Sequence, residues 1–269
     1  MTHPDDGTAA HPMPPVRPPR DRLGAAASLA MMGWLTVVLW LDRDGGAGTM
    51  WTQRGAGLLT WAVLLVALTR VSPVVRAQTA VVVVFATIVE LTFSAGLEVY
   101  TYRFDNVPAY VPPGHGLVYL SAFALGHAAF VQRRLRAAEA AVLLVGGTWA
   151  GYGLLLADRP DALGAFWFLC LAGFLAWGPS KQVYVGAFVV VSWLELAGTA
   201  LGTWVWGTHD FTGWITIGNP PSGAAGGYGW FDLAGLLLAP ALLRLVSRAR
   251  RGRRPALAED PEPGAADVH

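Results

Sequence analysis

The sequence predicts an all-α, polytopic transmembrane bundle of about eight helices, and three observations predict it. Hydrophobic residues make up 54% of the 269-residue chain and charged residues only 14%, outside the range of ordinary soluble domains. The apolar residues come in blocks of about 15 to 22, the length an α-helix needs to cross roughly 30 Å of hydrocarbon. The blocks are continuous and lack the period-two alternation of barrel strands, which leaves helices as the spanning form that satisfies its own backbone in lipid.

Taken in order, the expected spans are residues 24–41, 56–70, 77–97, 114–131, 138–157, 162–178, 183–204 and 229–247. The second is short, follows Arg54 and ends at Arg70 before Ser72-Pro73, so a re-entrant or tilted segment also fits it. Segment 1–22 is rich in proline and polar groups, reads as a disordered cytoplasmic arm and has no signal-peptide pattern. The transmembrane domain is expected over 23–248, and 249–269, basic and then Pro-rich and acidic, reads as a disordered cytoplasmic tail. Basic residues alternate between the connections. Arg17, Arg20 and Arg22, Arg70 and Arg76, Arg133, Arg134 and Arg136, Lys181, and the cluster from Arg248 to Arg254 fall on one side. The positive-inside rule then puts both termini of a multi-pass cell-membrane protein in the cytoplasm. These clusters read as topology signals meeting anionic headgroups, not as a nucleic-acid surface.

The third and seventh spans each carry a carboxylate inside an apolar run, Glu90 in VVVVFATIVELTFSAGL and Glu195 in AFVVVSWLELAGTALG. An ionisable group there costs roughly 2.5 kcal/mol or more on insertion scales and is generally kept for function or a buried partner. At 1.5 Å per residue Glu90 lies roughly 12 Å below the outer helix end, and Glu195 at similar depth. Thr87 and Ser94 flank Glu90 at i−3 and i+4, as Ser192 and Thr199 flank Glu195, which predicts a hydroxyl stripe on each helix. The order continues past both helices: Glu, aromatic-x-aromatic (Tyr100 and Tyr102; Trp204 and Trp206), a loop, Pro-Pro, glycine, helix. That order suggests a four-plus-four parallel duplication over 23–131 and 137–248. Interfacial aromatic belts and ordinary helix packing, including the GxxxG pair Gly198 and Gly202, account for much of the same pattern.

Desolvation favours a carboxyl's neutral form and a neighbouring carboxyl adds to the effect, so two facing acids can divide proton donation and acceptance between them. Glu90, Glu195, His115 at the entry of the fourth span and Asp232 one turn into the eighth are the candidate catalytic residues. Tyr100, Tyr102, Trp204, Trp206, Asn219, Ser94 and Thr199 are the candidate substrate contacts, with Trp214 a further aromatic. No metal-ligand spacing joins His115 and His209, and no P-loop, GxSxG or dinucleotide fingerprint is present, so no cofactor or metal is expected. His127 reads as a helix-packing hydrogen bonder and Glu139 as a counter-charge to Arg133–Arg136. GGTWAGYG at 146–153 reads as small-residue packing, and the lone Cys170 as a packing residue outside any intramolecular disulfide.

Glu90, Tyr100, Tyr102 and Pro108 in the first half, and Glu195, Gly198, Gly202, Trp204 and Trp206 in the second, follow an order that resembles polytopic carotenoid-biosynthesis proteins of the carotenoid hydratase type. The resemblance covers about a third of the chain. It implies acid-catalysed addition of water to an isoprenoid double bond, with Glu90 or Glu195 as proton donor. The loops YVPPGHG and GNPPSGAAGGY depart from that pattern. The expected partners are membrane lipid and an apolar small molecule, with the oligomeric state left open. A proton-coupled solute carrier and a non-catalytic membrane scaffold are the rival readings of the same glutamates.

Overall fold

The computed structural model describes residues 23–252, with side chains to residue 249; the expectations for the 1–22 arm and for the acidic end of the tail fall outside the described residues. The chain is an all-α bundle. Its helices are α1 (Ala25–Leu41), α2 (Met50–Leu68), α3 (Pro73–Glu90), α4 (Val111–Gly126), the single turn α5 (Ala129–Gln132), α6 (Leu135–Leu155), α7 (Ala162–Trp177), α8 (Lys181–Ala200) and α9 (Ala224–Gly252). Within the described residues the α3 segment, α6, α8 and α9 are long and apolar enough to cross a membrane, and α1 and α7 are shorter apolar helices.

Helix starts are where hydropathy and structure differ most, because the first turns are fixed by caps. α2 begins at Met50, six residues before the apolar run, since Thr49 and Thr52 form a reciprocal capping box there. It continues unbroken for 19 residues to Leu68. Ser72 accepts from the Val75 amide and Pro73 opens α3, the arrangement in which proline loses no helical hydrogen bond. Pro112 likewise stands in the first turn of α4.

The interior is organised around α4, of whose 16 residues nearly all are buried. It packs against α1, α2, α3 and α8, while α9 packs against α3, α7 and α8. Close approach is permitted where a side chain is missing: a Cβ on Gly126 or Gly186 would strike the facing backbone of α8 or α4. The segment 146–153 behaves as expected, with Gly146 and Gly147 seated against Phe168. Glu139 pairs with Lys181 at 3.8 Å. Its expected arginine partners lie on its own side of the sequence, but the α6–α8 contact brings the lysine closer.

At the other end of the bundle the long connections knit together. Arg103 donates to the Gly46 and Gly48 carbonyls, Asp44 N–H to Leu201, and Arg103 N–H to Thr203. The stretch after Glu98, expected as loop, and the end of the expected seventh span with the residues after it are short strands, β1 (Tyr100–Tyr102) and β2 (Trp204–Trp206). They pair antiparallel with Tyr100 opposite Trp206, Thr101 opposite Val205 and Tyr102 opposite Trp204. Strand alternation then turns all four of these large aromatics to one buried face and leaves Thr101 and Val205 exposed.

Candidate functional site

Glu90 is the last residue of α3, and the backbone beyond it, Leu91–Gly96, winds as a π-helical turn, a feature frequent at functional sites. The chain then returns through Glu98 at φ +51° into β1. This return lays both tyrosines over the helix end they came from: Tyr100 Oη and Tyr102 Oη each donate to Glu90 Oε2 at 2.9 Å. His115, near the start of α4, places Nε2 2.9 Å from Glu90 Oε1. Burial and the nearby carboxylate push both strand phenols well above the usual tyrosine range, so they stay protonated as donors.

Glu195 in α8 has a matching but different shell. Gly202, at φ +64°, ends the helix region and turns the chain into β2, a left-handed position suited to glycine. Trp204 Nε1 and Trp206 Nε1 both donate to Glu195 Oε2 at 3.1 Å. Tyr228 Oη in α9 lies 3.5 Å from Oε1. A Cβ on Gly198 would sit in the Trp204 indole, so the glycine makes room for that ring over its own helix.

Both glutamates are buried, at 5% and 2% exposure, and both line one cavity of about 380 Å³, within the usual range of small-molecule sites. The aromatic strand face is part of its wall, with Tyr100 and Trp206 rings 4.5 Å apart and Tyr102 and Trp204 6.0 Å apart. Leu35, Val38, Phe85, Val118 and Leu194 supply apolar surface. His115 and Tyr228 rings are 5.3 Å apart. The cavity wall therefore holds two polar pairs, Glu90 with His115 and Glu195 with Tyr228, joined by the His115–Tyr228 ring contact in an otherwise apolar chamber.

Of the residues singled out from the sequence, Glu90, Glu195, His115, Tyr100, Tyr102, Trp204 and Trp206 meet at this cavity. Asp232, Asn219, Ser94 and Thr199 do not line it. Asp232 is buried on α9 with Oδ2 unpartnered among the described residues; one turn past Tyr228, it lies outside the chamber wall. Asn219 Oδ1 accepts from the Trp206 amide and so holds β2 in place. The hydroxyl stripes do not form. Thr87 and Thr199 return their hydroxyls to the carbonyls of Val83 and Glu195, four residues back, the usual way a helix satisfies a threonine away from water, and the π turn breaks the spacing between Glu90 and Ser94. Trp214 is 89% exposed and points away.

Tyr110, Tyr228, Trp167 and Phe231 join the wall without a sequence signal; Tyr228 has only its place one turn before Asp232. Tyr110 Oη donates to Asp42 Oδ2 at 2.6 Å, and Gln53 donates to the same oxygen at 2.8 Å. Burial raises the Asp42 carboxyl above its ordinary range. Asp161, the N-cap of α7, accepts from the amides of Gly164, Gly218 and Ser222 and from the Ser222 hydroxyl, which ties the connection between β2 and α9 to α7. His127 caps α4 with Nδ1 2.8 Å from the Phe123 carbonyl. Among the described residues no three His, Cys, Asp or Glu side chains gather to hold a metal ion. No protein-family model, curated protein or solved structure compared with the chain matches it.

Proposed function

We propose that this membrane protein is an enzyme performing acid-base chemistry on a long apolar lipid of the isoprenoid or carotenoid type, and that it crosses the bilayer eight times with both termini in the cytoplasm. In this topology the cavity and the paired strands belong to the outer half. The four-plus-four duplication belongs to the same reading: strand pairing centred on Thr101 and Val205, with each carboxylate taking two donors from the strand that follows it, is the geometry expected of two halves related by an axis along the membrane normal.

The observation that carries the proposal is the difference between the two carboxylate shells on one apolar, aromatic-walled cavity. Indole N–H groups only donate, so Glu195 Oε2 is occupied as an acceptor twice over. Among the described residues Oε1 has only the long Tyr228 contact and is the oxygen with room for a transferable proton. Glu90 has both oxygens engaged, by two phenols and His115, a shell suited to a carboxylate that receives a proton.

Glu195 thus gives its proton to one carbon of a double bond, whose π electrons form the new C–H bond. The cation left on the other carbon faces the ring surfaces of Tyr100, Tyr102, Trp204 and Trp206, which stabilise positive charge. A water lone pair closes the C–O bond, the surplus water proton leaves to the Glu90–His115 pair, and Tyr228 lies on the path that returns a proton to Glu195. Net, one water adds across one double bond.

The test is expression in a host that accumulates linear isoprenoids and polyenes, followed by mass spectrometry of the whole lipid extract. A species heavier by one water, carrying label from H₂¹⁸O, is the expected outcome. Extracts identical to those of the empty host overturn the enzyme, and proton-driven solute uptake by the same cells would assign the glutamates to a carrier instead.

A further inference from the structure

The cavity wall includes four residues that are also substantially exposed: Phe93 in the π turn (37%), Phe211 (59%) and Ile215 (41%) in the connection after β2, and Trp230 in α9 (48%). A residue that both lines a cavity and faces outward stands at its mouth, and all four here are apolar. α3 and α7 each pack along α9 and are at most marginally in contact with one another. The gap between them is floored by α9, where Gly227 has no side chain to fill it and rests against the Trp167 ring. Above the gap lies a small hairpin bridged between His209 and Thr216.

The charged residue at this rim, Asp210, is turned back into the hairpin. Its carboxylate accepts from the Thr212 hydroxyl and from the amides of Trp214 and Ile215. The two membrane-crossing helices at the mouth carry further exposed apolar residues, Ile88 and Leu91 on the α3 segment and Leu237 on α9. An opening onto water would surround apolar rims with solvated charge. Lipid requires the opposite.

We infer that the cavity opens sideways into the bilayer through this gap between the π turn of α3 and helix α7, and that its occupant is a hydrocarbon chain of a lipid entering from the surrounding leaflet. The π turn gives the portal its side wall: the wider helical winding carries Phe93 outward at the point where Glu90 is held inward by its tyrosines. The portal rests on the reading of the cavity as a site for an apolar lipid and adds the route by which that lipid arrives.

The experiment needs no turnover. The photoreactive p-benzoylphenylalanine replaces Phe231, which is 8% exposed and sits behind the gap against Phe85 and His115. The protein is reconstituted in phosphatidylcholine vesicles, irradiated, and assayed for lipid adducts by mass spectrometry. The same probe at Tyr184, fully buried and away from the cavity, gives the background level, and at exposed Trp230 the level for free lipid contact. A lipid adduct at position 231 is expected, falling to the Tyr184 background when the gap is filled by Gly227→Trp or, on the exposed hairpin where folding is not at stake, by Ile215→Trp. Adducts at Trp230 with none at 231 overturn the portal, as do adducts at 231 that survive both plugs. A positive adduct with no altered product in lipid extracts would leave the portal standing and remove the enzyme.

Discussion

Replacing Glu195 with glutamine separates the proton from the hydrogen bonds that surround it. The amide oxygen can keep both indole donors, Trp204 Nε1 and Trp206 Nε1 at 3.1 Å, while the amide nitrogen takes the place of Oε1 and can donate to the Tyr228 hydroxyl 3.5 Å away. Only the long Tyr228 bond changes, its hydroxyl giving up Oε1 as an acceptor, so stability should change by no more than about 1 kcal/mol. What disappears is the acidic O–H. A positioned general acid typically contributes about 10²- to 10⁴-fold, equivalent to about 3 to 5 kcal/mol on the barrier. The assay is initial product formation from purified protein in nanodiscs, with the melting temperature of the same samples as a folding control. A Glu195→Gln protein that melts with wild type and turns over within about tenfold of it would refute Glu195 as the donor. The contrast with Glu90→Gln sharpens the test, because there the amide N–H₂ must face either two phenolic donors or His115. Only the neutral tautomer of His115 with its lone pair on Nε2 can accept it.

Three further outcomes follow from the same contacts. Gly198→Ala drives a methyl into the Trp204 ring and should lower stability by about 1 to 3 kcal/mol, read as a lower melting temperature in detergent with reduced near-ultraviolet tryptophan signal; unchanged melting would show that the ring is not seated there. Asp161→Ala strands three backbone amides and the Ser222 hydroxyl and should cost about 3 kcal/mol or more, with faster hydrogen exchange at Gly218 and Ser222; a loop that exchanges as slowly as wild type contradicts it. Backbone and hydroxyl hydrogen bonds hold the Asp210 carboxyl below its ordinary value of 3.8. Its stabilisation of the hairpin is therefore complete above that value and lost as the pH falls through the depressed one, so exchange at the Trp214 and Ile215 amides should quicken only under acid conditions. Asp210→Asn should abolish that pH dependence.

The membrane character of the chain and its two buried cavity glutamates are legible in the sequence because both are local. Block length and hydropathy identify a helix without reference to anything it touches, and a carboxylate within such a block is conspicuous against its own neighbours. Helix starts are less legible: Thr49 and Pro112 act through caps whose effect depends on the turn preceding them, not on apolarity. The spacing from Glu90 to Thr87 and Ser94 does not carry into the structure. Threonine in a helix finds a carbonyl four residues back before it finds a carboxylate, and a π turn shifts every residue after Glu90 out of phase.

What the tertiary structure alone decided is the company the acids keep. Tyr100, Tyr102, Trp204 and Trp206 read equally well as interfacial belts until two three-residue strands, more than a hundred residues apart, pair and turn them inward. Tyr228 and His115 come from helices distant in sequence, and the cavity they share exists only between elements. The physical reason is the range of the interactions: burial in lipid is set residue by residue along the chain, whereas hydrogen-bond geometry at a site is set by chain reversals and helix crossings that no window of the sequence contains.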